Sequence, residues 1–256
     1  MTAKSKPGAP IMTVALPASV APSVRIADVM AAEWAREVLM TIGDTMPRSM
    51  QTAVGASEIG QRCRRRLAYR IAGTTPVAIG DPCKSLMGIG AHEVLATGLT
   101  KLDPRRYLVE QAVSYRGVPG KLDAYDMWRR RLVDWKTTSV ERLARYRNDG
   151  PPSNYVVQLN IYAAGLAALG YPVDLACLIF IPRNGELSDV WAWTMPPDVS
   201  IADQAIDTYL KLRADMDAGQ TPGDVEAWPS VLCGWCPHHL PRTADLAVAC
   251  PGKEGQ

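Results

Sequence analysis

The sequence predicts an α/β protein, because two kinds of pattern alternate along it. Apolar residues recur at helical spacing in five segments, at 26–42, 57–71, 82–99, 153–169 and 201–216, with a short basic helix at 139–147. Runs with strand character lie between and after these helices, at 107–115, 120–136, 174–182 and 188–195. From Gly219 onwards the chain is loop-rich and holds three of its six cysteines, which predicts a metal-binding C-terminal tail.

Local signals mark the ends of several elements. Ser57 can cap the helix predicted at 57–71, and Pro82 is tolerated in the first turn of the helix that follows. The segment Asn-Asp-Gly-Pro-Pro (148–152) breaks the chain before the helix at 153–169, and Gly170 can end that helix in a left-handed conformation. Asn184-Gly185 predicts a hairpin turn between the last two strands.

Length and composition indicate a globular protein. At 256 residues, of which 47% are hydrophobic and 21% charged, the chain can bury a full core. We expect a disordered leader at 1–24, where prolines interrupt a short apolar piece, and a single domain at 25–256. Without a secretion signal, the six cysteines indicate a reducing cytoplasm, where close cysteine pairs bind metal more often than they form disulfides.

Charge and hydropathy restrict the partners of the chain. No run of 18 apolar residues occurs, so no membrane span is predicted. The net charge of only +2 gives no bulk argument for nucleic-acid binding. Basic residues nevertheless cluster at 62–66, 105–106 and 129–131, which fits contact with a phosphate backbone; solvated faces are the alternative.

The stretch 120–136 predicts a β-hairpin with a polar tip at 127–130. Pairing of its two arms would place Asp123 opposite Asp134. Two facing carboxylates normally destabilise a sheet, and a divalent cation between them reverses that effect. Lys136 lies on the same face as Asp134, two residues further on. The alternative is a solvated hairpin face with ordinary surface charges.

Four motifs in this region resemble those of one nuclease superfamily. Gly-Lys-Leu-Asp (120–123) followed by Asp-Trp-Lys (134–136) is similar to the GxxD…(D/E)xK pair of the PD-(D/E)xK nucleases, in their RecB-like branch. His92 resembles the upstream histidine of that branch, and Gln-Leu-Asn-Ile-Tyr (158–162) matches its downstream QxxxY motif. The resemblance covers residues 57–250 and implies a restriction-endonuclease-like core, in which helices flank a mixed central sheet.

The resemblance also implies a metal centre. Asp123, Asp134 and the backbone carbonyl of Trp135 would bind Mg²⁺ or Mn²⁺, which prefer oxygen ligands. His92 would add a nitrogen ligand, or a hydrogen bond to a bound water, and a nitrogen ligand favours Mn²⁺. For His92 the alternative is an ordinary buried histidine.

Three more residues receive catalytic roles from the resemblance. Lys136 would orient the attacking water and oppose the negative charge of the transition state. Gln158 and Tyr162, four residues apart on one helix face, would position the substrate and support the active site. The alternative for this pair is a helix face that simply packs on the sheet.

The cysteines resemble a second feature of related nucleases. Cys233, Cys236 and Cys250 lie in the tail, and Cys63 lies far upstream in the helix predicted at 57–71. One early and three late cysteines around such a core are typical of iron–sulfur nucleases, such as AddB-type helicase-nucleases and CRISPR-associated adaptation exonucleases. The resemblance implies a structural 4Fe-4S cluster held by these four thiolates, from subregions 57–72 and 228–256.

Zinc is the alternative occupant of the tail. It would be bound by the three tail cysteines together with His238 or His239, a ligand set that needs no distant residue. The remaining cysteines, Cys83 and Cys177, are expected to be buried packing residues.

The resemblance therefore implies a metal-dependent DNA nuclease of bacterial or phage origin, an exonuclease on single-stranded DNA or DNA ends, in recombination, repair or end processing. The sequence has no GxxxxGK[ST] motif, so DNA unwinding would need a partner; a helicase, a recombinase and a CRISPR integrase are the candidate partners. Two other classes stay open: a non-catalytic DNA-binding scaffold of the same fold, and a zinc-containing interaction module whose hairpin charges are incidental.

Overall fold

The structure is a computed structural model that describes residues 26–45, 54–78 and 80–252; within these ranges, the side chains of residues 26–28, 44, 231 and 232 are not described. The leader predicted at 1–24 lies outside the described residues. The chain divides into two compact units, Met1–Ile42 and Gly43–Gln256. None of the helices in the described part is long and apolar enough to cross a bilayer.

The elements follow the predicted order. Most of helix α1 belongs to the first unit, and its last three residues, 43–45, belong to the second. The other elements all belong to the second unit. The helices are α1 (Ile26–Thr45), α2 (Ala56–Ile59), α3 (Arg64–Ile71), α4 (Cys83–Leu102), α5 (Val140–Asp149), α6 (Ser153–Ala168) and α7 (Val199–Asp217). The strands are β1 (Tyr107–Val109), β2 (Ala112–Tyr115), β3 (Val118–Lys121), β4 (Ala124–Asp126), β5 (Arg131–Thr138), β6 (Leu175–Pro182) and β7 (Trp191–Met195).

A mixed sheet forms the centre of the second unit. Its strand order is β1-β4-β5-β6-β7, in which β5 and β6 are parallel and the other neighbours are antiparallel; β2 and β3 form a separate two-stranded sheet. Helix α6 packs on β2, β3, β5 and β6, α4 packs on β1 and β5, and α5 packs on β6. The predicted α/β class, with a mixed central sheet flanked by helices, is therefore confirmed.

Strand β6 and helix α6 carry a large share of the core. β6 is a nearly continuous apolar run, as expected for a strand with neighbours on both sides. Leu178 and Phe180 of β6 are fully buried, as are Leu159 and Leu166 of α6. Helix α6 thereby brings residues 158–162 down onto the sheet, next to the end of β5.

The first arm of the predicted hairpin is not one strand. β3 ends at Lys121 and pairs with β2, whereas β4 begins at Ala124 and pairs with β1 and β5. The strand predicted at 107–115 breaks at the same level, where Glu110 has a backbone φ of 53°. This left-handed conformation is strained for a glutamate, and the Glu110 amide donates to the carbonyl of Asp123 across the break. At this strained residue the paired chains leave the central sheet and enter the two-stranded sheet of β2 and β3.

The helix predicted at 57–71 is also interrupted, and Cys63 is not inside a helix as predicted. It is the residue that precedes α3. A β-carbon on Gly60 would lie only 2.7 Å from the Cα of Asn154, so the chain passes too close to α6 for any larger residue. The predicted cap is wrong as well, because Gly55 and not Ser57 precedes the first helical residue.

Two smaller predictions need correction. Cys177 is buried as expected, whereas Cys83 is exposed at the first position of α4. The last strand begins at Trp191 and not at Ser188, because Leu187–Asp189 form a turn of 3-10 helix in which the carboxylate of Asp189 accepts from the Glu186 amide.

The tip of the β4–β5 hairpin is held by one carboxylate. Asp126 lies opposite Arg131 at the ends of the two strands. Its oxygens accept from Nε and Nη2 of Arg106 at 3.0 and 2.5 Å, and from the amides of Trp128 and Arg129 at 3.1 and 3.2 Å. The hydrogen bond from Arg106, followed by the backbone donors, lowers the pKa of Asp126. The turn is therefore fixed by charge-assisted hydrogen bonds.

We predict that Asp126→Asn lowers the free energy of unfolding by about 2–3 kcal/mol, since it weakens hydrogen bonds to a charged, buried group. Because the folded pKa is below the ordinary value of 3.8, the contribution of Asp126 is present above that value and is lost as the pH falls through the folded pKa. Urea denaturation at a series of pH values measures both effects.

Asp174→Asn is the matched control, since Asp174 pairs with Arg130 near the same tip but both side chains are about half exposed. This variant should lose less than about 1 kcal/mol. Equal losses for the two variants, or a loss for Asp126→Asn that does not change with pH, would contradict the role given to Asp126.

Candidate active site

A buried ion pair lies in the middle of β5. Asp134 is only 2% exposed, and its Oδ2 lies 2.7 Å from Nζ of Lys136. Burial raises the pKa of Asp134 and outweighs the opposing effect of Lys136; the charge of Asp123 raises it further. A carboxylate in such a place is stable as an anion only if positive charge stays next to it. The predicted carboxylate pair is thus electrostatically coupled in the structure.

Helix α6 fixes the other side of Lys136. The ammonium donates to Oε1 of Gln158 at 3.0 Å and lies 4.5 Å from the centre of the Tyr155 ring. The amide nitrogen of Gln158 donates in turn to the hydroxyl of Tyr162 at 2.8 Å. Gln158 and Tyr162 therefore share a helix face that meets the lysine, instead of only packing on the sheet.

Gly120 explains how Tyr162 fits against the strands. A β-carbon at Gly120 would lie 2.4 Å from Cε1 of Tyr162, a distance that two carbon atoms cannot adopt. The glycine of the GxxD motif therefore makes room for the aromatic ring of the QxxxY motif. Two motifs that are 38 positions apart in the chain meet at this contact.

Asp123 lies between helix α4 and strand β5. Nδ1 of His92 is 3.1 Å from Oδ1 of Asp123, and the amide of Trp135 donates to Oδ2 at 2.7 Å. Because a carboxylate only accepts, the hydrogen of the imidazole is assigned to Nδ1 at this contact. The hydrogen bond to Asp123 raises the pKa of His92. The metal-ligand role of the Trp135 carbonyl stays a prediction.

Glu110 is the site residue that sequence reasoning did not select. Among the residues that the structure describes, His92, Glu110 and Asp123 form the one set of three or more His, Cys, Asp or Glu ligand atoms that all lie within 4.8 Å of one another. Glu110 also forms an ion pair with Lys121. The sequence feature that could have indicated Glu110 is the imperfect alternation of apolar and polar residues in the segment 107–115. It coincides with the strained backbone at Glu110, beside Asp123. The structure thus contains a possible acidic and histidine metal site.

Each of the four predicted cluster cysteines accepts a hydrogen bond from an N–H group. Three of the donors are backbone amides and one is a guanidinium. The pairs are Trp228 N to Cys63 Sγ at 3.4 Å, Ser230 N to Cys233 Sγ at 3.3 Å, His238 N to Cys236 Sγ, and Arg65 Nη1 to Cys250 Sγ at 3.9 Å. Such donors stabilise the negative charge of a thiolate.

The tail is attached to α3 through side chains of that helix. Nε of Arg65 donates to the carbonyl of Val225 at 2.8 Å and Nη2 to that of Gly223 at 3.3 Å. The hydroxyl of Tyr69 donates to the carbonyl of Leu246 at 2.7 Å. These contacts join segments about 160–180 positions apart, so Cys63 and the tail cysteines belong to one region.

The donors of the zinc alternative do not form a compact set among the residues that the structure describes. Tetrahedral zinc with bonds of about 2.3 Å holds its sulfur ligands about 4 Å apart. The structure describes Cys63, the three tail cysteines and the two histidines. No three of these residues have ligand atoms that all lie within 4.8 Å of one another. His238 is fully buried and stacks on Tyr69 at 4.7 Å, and Nε2 of His239 lies 3.2 Å from the carbonyl of Pro251.

Comparison with known proteins gives distant structural likenesses only. No protein-family model matches the sequence, and no curated protein matches it significantly. Similar solved structures include the alkaline exonuclease LHK-Exo from Laribacter hongkongensis (12% identity, TM-score 0.48, 65% of this chain and 89% of that one) and its complex with dAMP (13%, 0.46, 65% and 89%). A phage-related exonuclease from Haemophilus somnus matches at 11% identity and a TM-score of 0.44, over 60% of this chain and 80% of that one. Likenesses at this distance carry no argument about what this chain does.

We predict that Gly120→Ala lowers the free energy of unfolding by about 1–3 kcal/mol, because the added methyl group overlaps the ring of Tyr162. In a Tyr162→Ala background the same substitution should have much less effect, since the ring is then absent. Urea denaturation of the two single variants and the double variant measures the coupling.

Gly98→Ala is the control, because a β-carbon at Gly98 has nothing within 4 Å and alanine favours the helix. This variant should be unchanged or up to about 1 kcal/mol more stable. An effect of Gly120→Ala that is equally large without the Tyr162 ring would contradict the contact.

Proposed function

We propose that this protein is a metal-dependent DNA nuclease. The observation that carries the proposal is a partly buried lysine held between a buried carboxylate and a glutamine, close to a set of ligands that α4, the end of β1 and the hairpin bring together. Lys136 provides the fixed positive charge, and His92, Glu110 and Asp123 provide the ligand set. A surface group of charges would not bury Asp134 so completely.

The chain's own residues fit phosphodiester hydrolysis. Asp123 and Glu110 would hold a hard divalent cation with oxygen atoms, and His92 adds a nitrogen that favours Mn²⁺ over Mg²⁺. Asp134, which lies close enough to Asp123 to interact with its charge, would complete the acidic side of the site. When bound, the cation supplies charge neutralisation at phosphorus and a water of lowered pKa.

Lys136 has the second role in this chemistry. Its ammonium is held in place by Asp134 and Gln158, so little reorganisation is needed when negative charge develops on the phosphoryl oxygens. Tyr162 supports Gln158 through its hydroxyl, which makes these two residues positioning residues for the lysine. The substrate would be single-stranded DNA or a DNA end, processed during recombination or repair, and unwinding would come from a partner.

We predict that end-labelled DNA is cleaved with Mg²⁺ or Mn²⁺ and that loss of the Lys136 charge lowers the rate by at least about 100-fold. Lys136→Ala alone leaves a buried anion without its partner and destabilises the protein, so the informative variant is Asp134→Asn combined with Lys136→Met. It removes both charges and keeps the volume. The measurement is single-turnover cleavage together with the free energy of unfolding.

Lys211→Ala is the matched control, since Lys211 pairs with Asp215 on the exposed face of α7. It should cleave at the wild-type rate. Absence of cleavage by the wild type on single-stranded and double-stranded DNA would overturn the enzyme and leave a non-catalytic DNA-binding scaffold as the function.

The four cysteines belong to a second, structural proposal. A 4Fe-4S cluster takes four thiolates and holds them further apart than a single zinc ion does. This fits sulfurs that share one region without forming a compact set. Cys63, Cys233, Cys236 and Cys250 would hold the cluster, which would join α3 to the tail without taking part in the cleavage step.

We predict that the protein, purified without oxygen, contains iron and acid-labile sulfide at about four atoms each per chain. Cys250→Ser should lower the iron content and the temperature of unfolding, because a ligand and the attachment of the tail are both weakened. Metal analysis and thermal denaturation are the measurements. Cys83→Ser, at an exposed cysteine outside the set, should change neither. One zinc per chain without sulfide would contradict the cluster.

A further inference from the structure

An exposed tryptophan occupies the tip of the hairpin that carries the candidate active site. The side chain of Trp128 is 69% exposed, although tryptophan side chains are highly buried on average. Its ring lies over the guanidinium of Arg106, with 5.1 Å between the guanidinium carbon and the ring centre. One aromatic face is therefore occupied, and much of the rest of the ring is open to solvent.

The position of this ring is fixed from below. Arg106 makes a two-point contact with Asp126 and also lies 4.9 Å from the centre of the Tyr107 ring. The amide of Trp128 itself donates to Asp126. Both the turn that carries the indole and the guanidinium that contacts it are thus held in place by Asp126. Binding of a ligand to the ring would therefore order few additional groups.

The charge around the tip favours an anionic partner. Arg105 and Arg129 are exposed, and neither side chain has an acidic partner among the residues that the structure describes. Arg130 pairs with Asp174 and contributes less. An open aromatic face on a tip that also carries exposed arginines matches a chain that alternates flat bases with phosphates.

The tip also faces the side of the sheet that α6 does not cover. Side chains alternate along paired strands, so Asp126, opposite Arg131, shares its face with Trp135 and not with Lys136. Lys136 points to the side that α6 covers. On the other side, Val133 and Trp135 are only half-buried. The tip therefore lies on the face of the sheet that α4, and not α6, packs against.

The helix on this face carries one of the candidate metal ligands. Helix α4, which carries His92, approaches the same face, because a β-carbon on Gly88 would lie 3.4 Å from Oγ1 of Thr137. Three residues of β5 separate Arg131 from Asp134, which corresponds to about 10 Å. A strand held at the tip could thus extend to the site within about three nucleotides at the duplex spacing of 3.4 Å.

We infer that Trp128, supported by Arg106, is a stacking platform for an unpaired base of single-stranded DNA whose phosphates contact Arg105 and Arg129. The inference rests on the proposed nuclease function and narrows its substrate to a strand with accessible bases. Bases inside a duplex could not use the platform, because both of their faces are covered by stacked neighbours.

The experiment compares two 20-nucleotide strands with the same phosphates, one of thymidines and one of abasic sites, by fluorescence anisotropy of the intact protein without added divalent metal. Trp128→Leu should weaken binding of the thymidine strand by roughly 5- to 150-fold. It should leave binding of the abasic strand unchanged. Trp128→Tyr, which keeps an aromatic face, should restore most of the affinity. Thermal denaturation of the three proteins shows that each is folded.

Arg129→Gln provides an independent electrostatic measurement. It should weaken both strands and reduce the slope of log affinity against log salt by about one, since one phosphate contact is lost. Arg242→Gln, at an exposed arginine in the tail, is the control and should leave the slope unchanged.

The outcomes separate this inference from the proposed function. Equal weakening of both strands by Trp128→Leu, or no weakening of either, would overturn the platform, as would a wild type that binds duplex ends but no single strand. Cleavage in the presence of Mg²⁺ or Mn²⁺ is assayed separately. Base-dependent binding through Trp128 without any cleavage would support the platform and overturn the nuclease.

Discussion

The buried charge of Asp134 is the constraint on which the rest of the site depends. A carboxylate that is 2% exposed needs positive charge close by, and Lys136 provides it from the same face of the same strand. The lysine then needs acceptors of its own, which Gln158 and the Tyr155 ring supply from α6. The fold therefore holds the ammonium of Lys136 in place as a consequence of satisfying a buried anion.

The strained break between the two sheets complements this constraint. A continuous strand through residues 118–126 would alternate its side chains regularly and keep Glu110 away from Asp123. The left-handed backbone of Glu110 bends the pair of chains instead, and the carboxylate joins Asp123 and His92 in one ligand set. Strain of this kind persists where surrounding structure holds it, here by the hydrogen bond between the Glu110 amide and the Asp123 carbonyl.

The features of the site that depend on local periodicity were predicted from the sequence. The alternation around the hairpin tip and the spacing of Gln158 and Tyr162 specified which side chains could meet, since strand and helix periods are fixed. The position of Glu110 was not predictable in this way, because one strained residue cancels the alternation on which the prediction depends. The interruption before Cys63 was also missed: Gly60 is required by contact with Asn154, which is 94 positions away in the chain.

The same interruption connects the cysteine tail to the active site. Gly60 lies against α6 on one side of the break, and Cys63 accepts from Trp228 of the tail on the other. Helix α6 carries Gln158 and Tyr162, and Tyr162 fills the space beside Gly120. The segment between α2 and α3 is therefore in contact with both regions. Loss of the contacts that attach the tail would therefore reach Lys136 through the packing of α6. It would lower the stability of the protein before it changed any chemistry at the site.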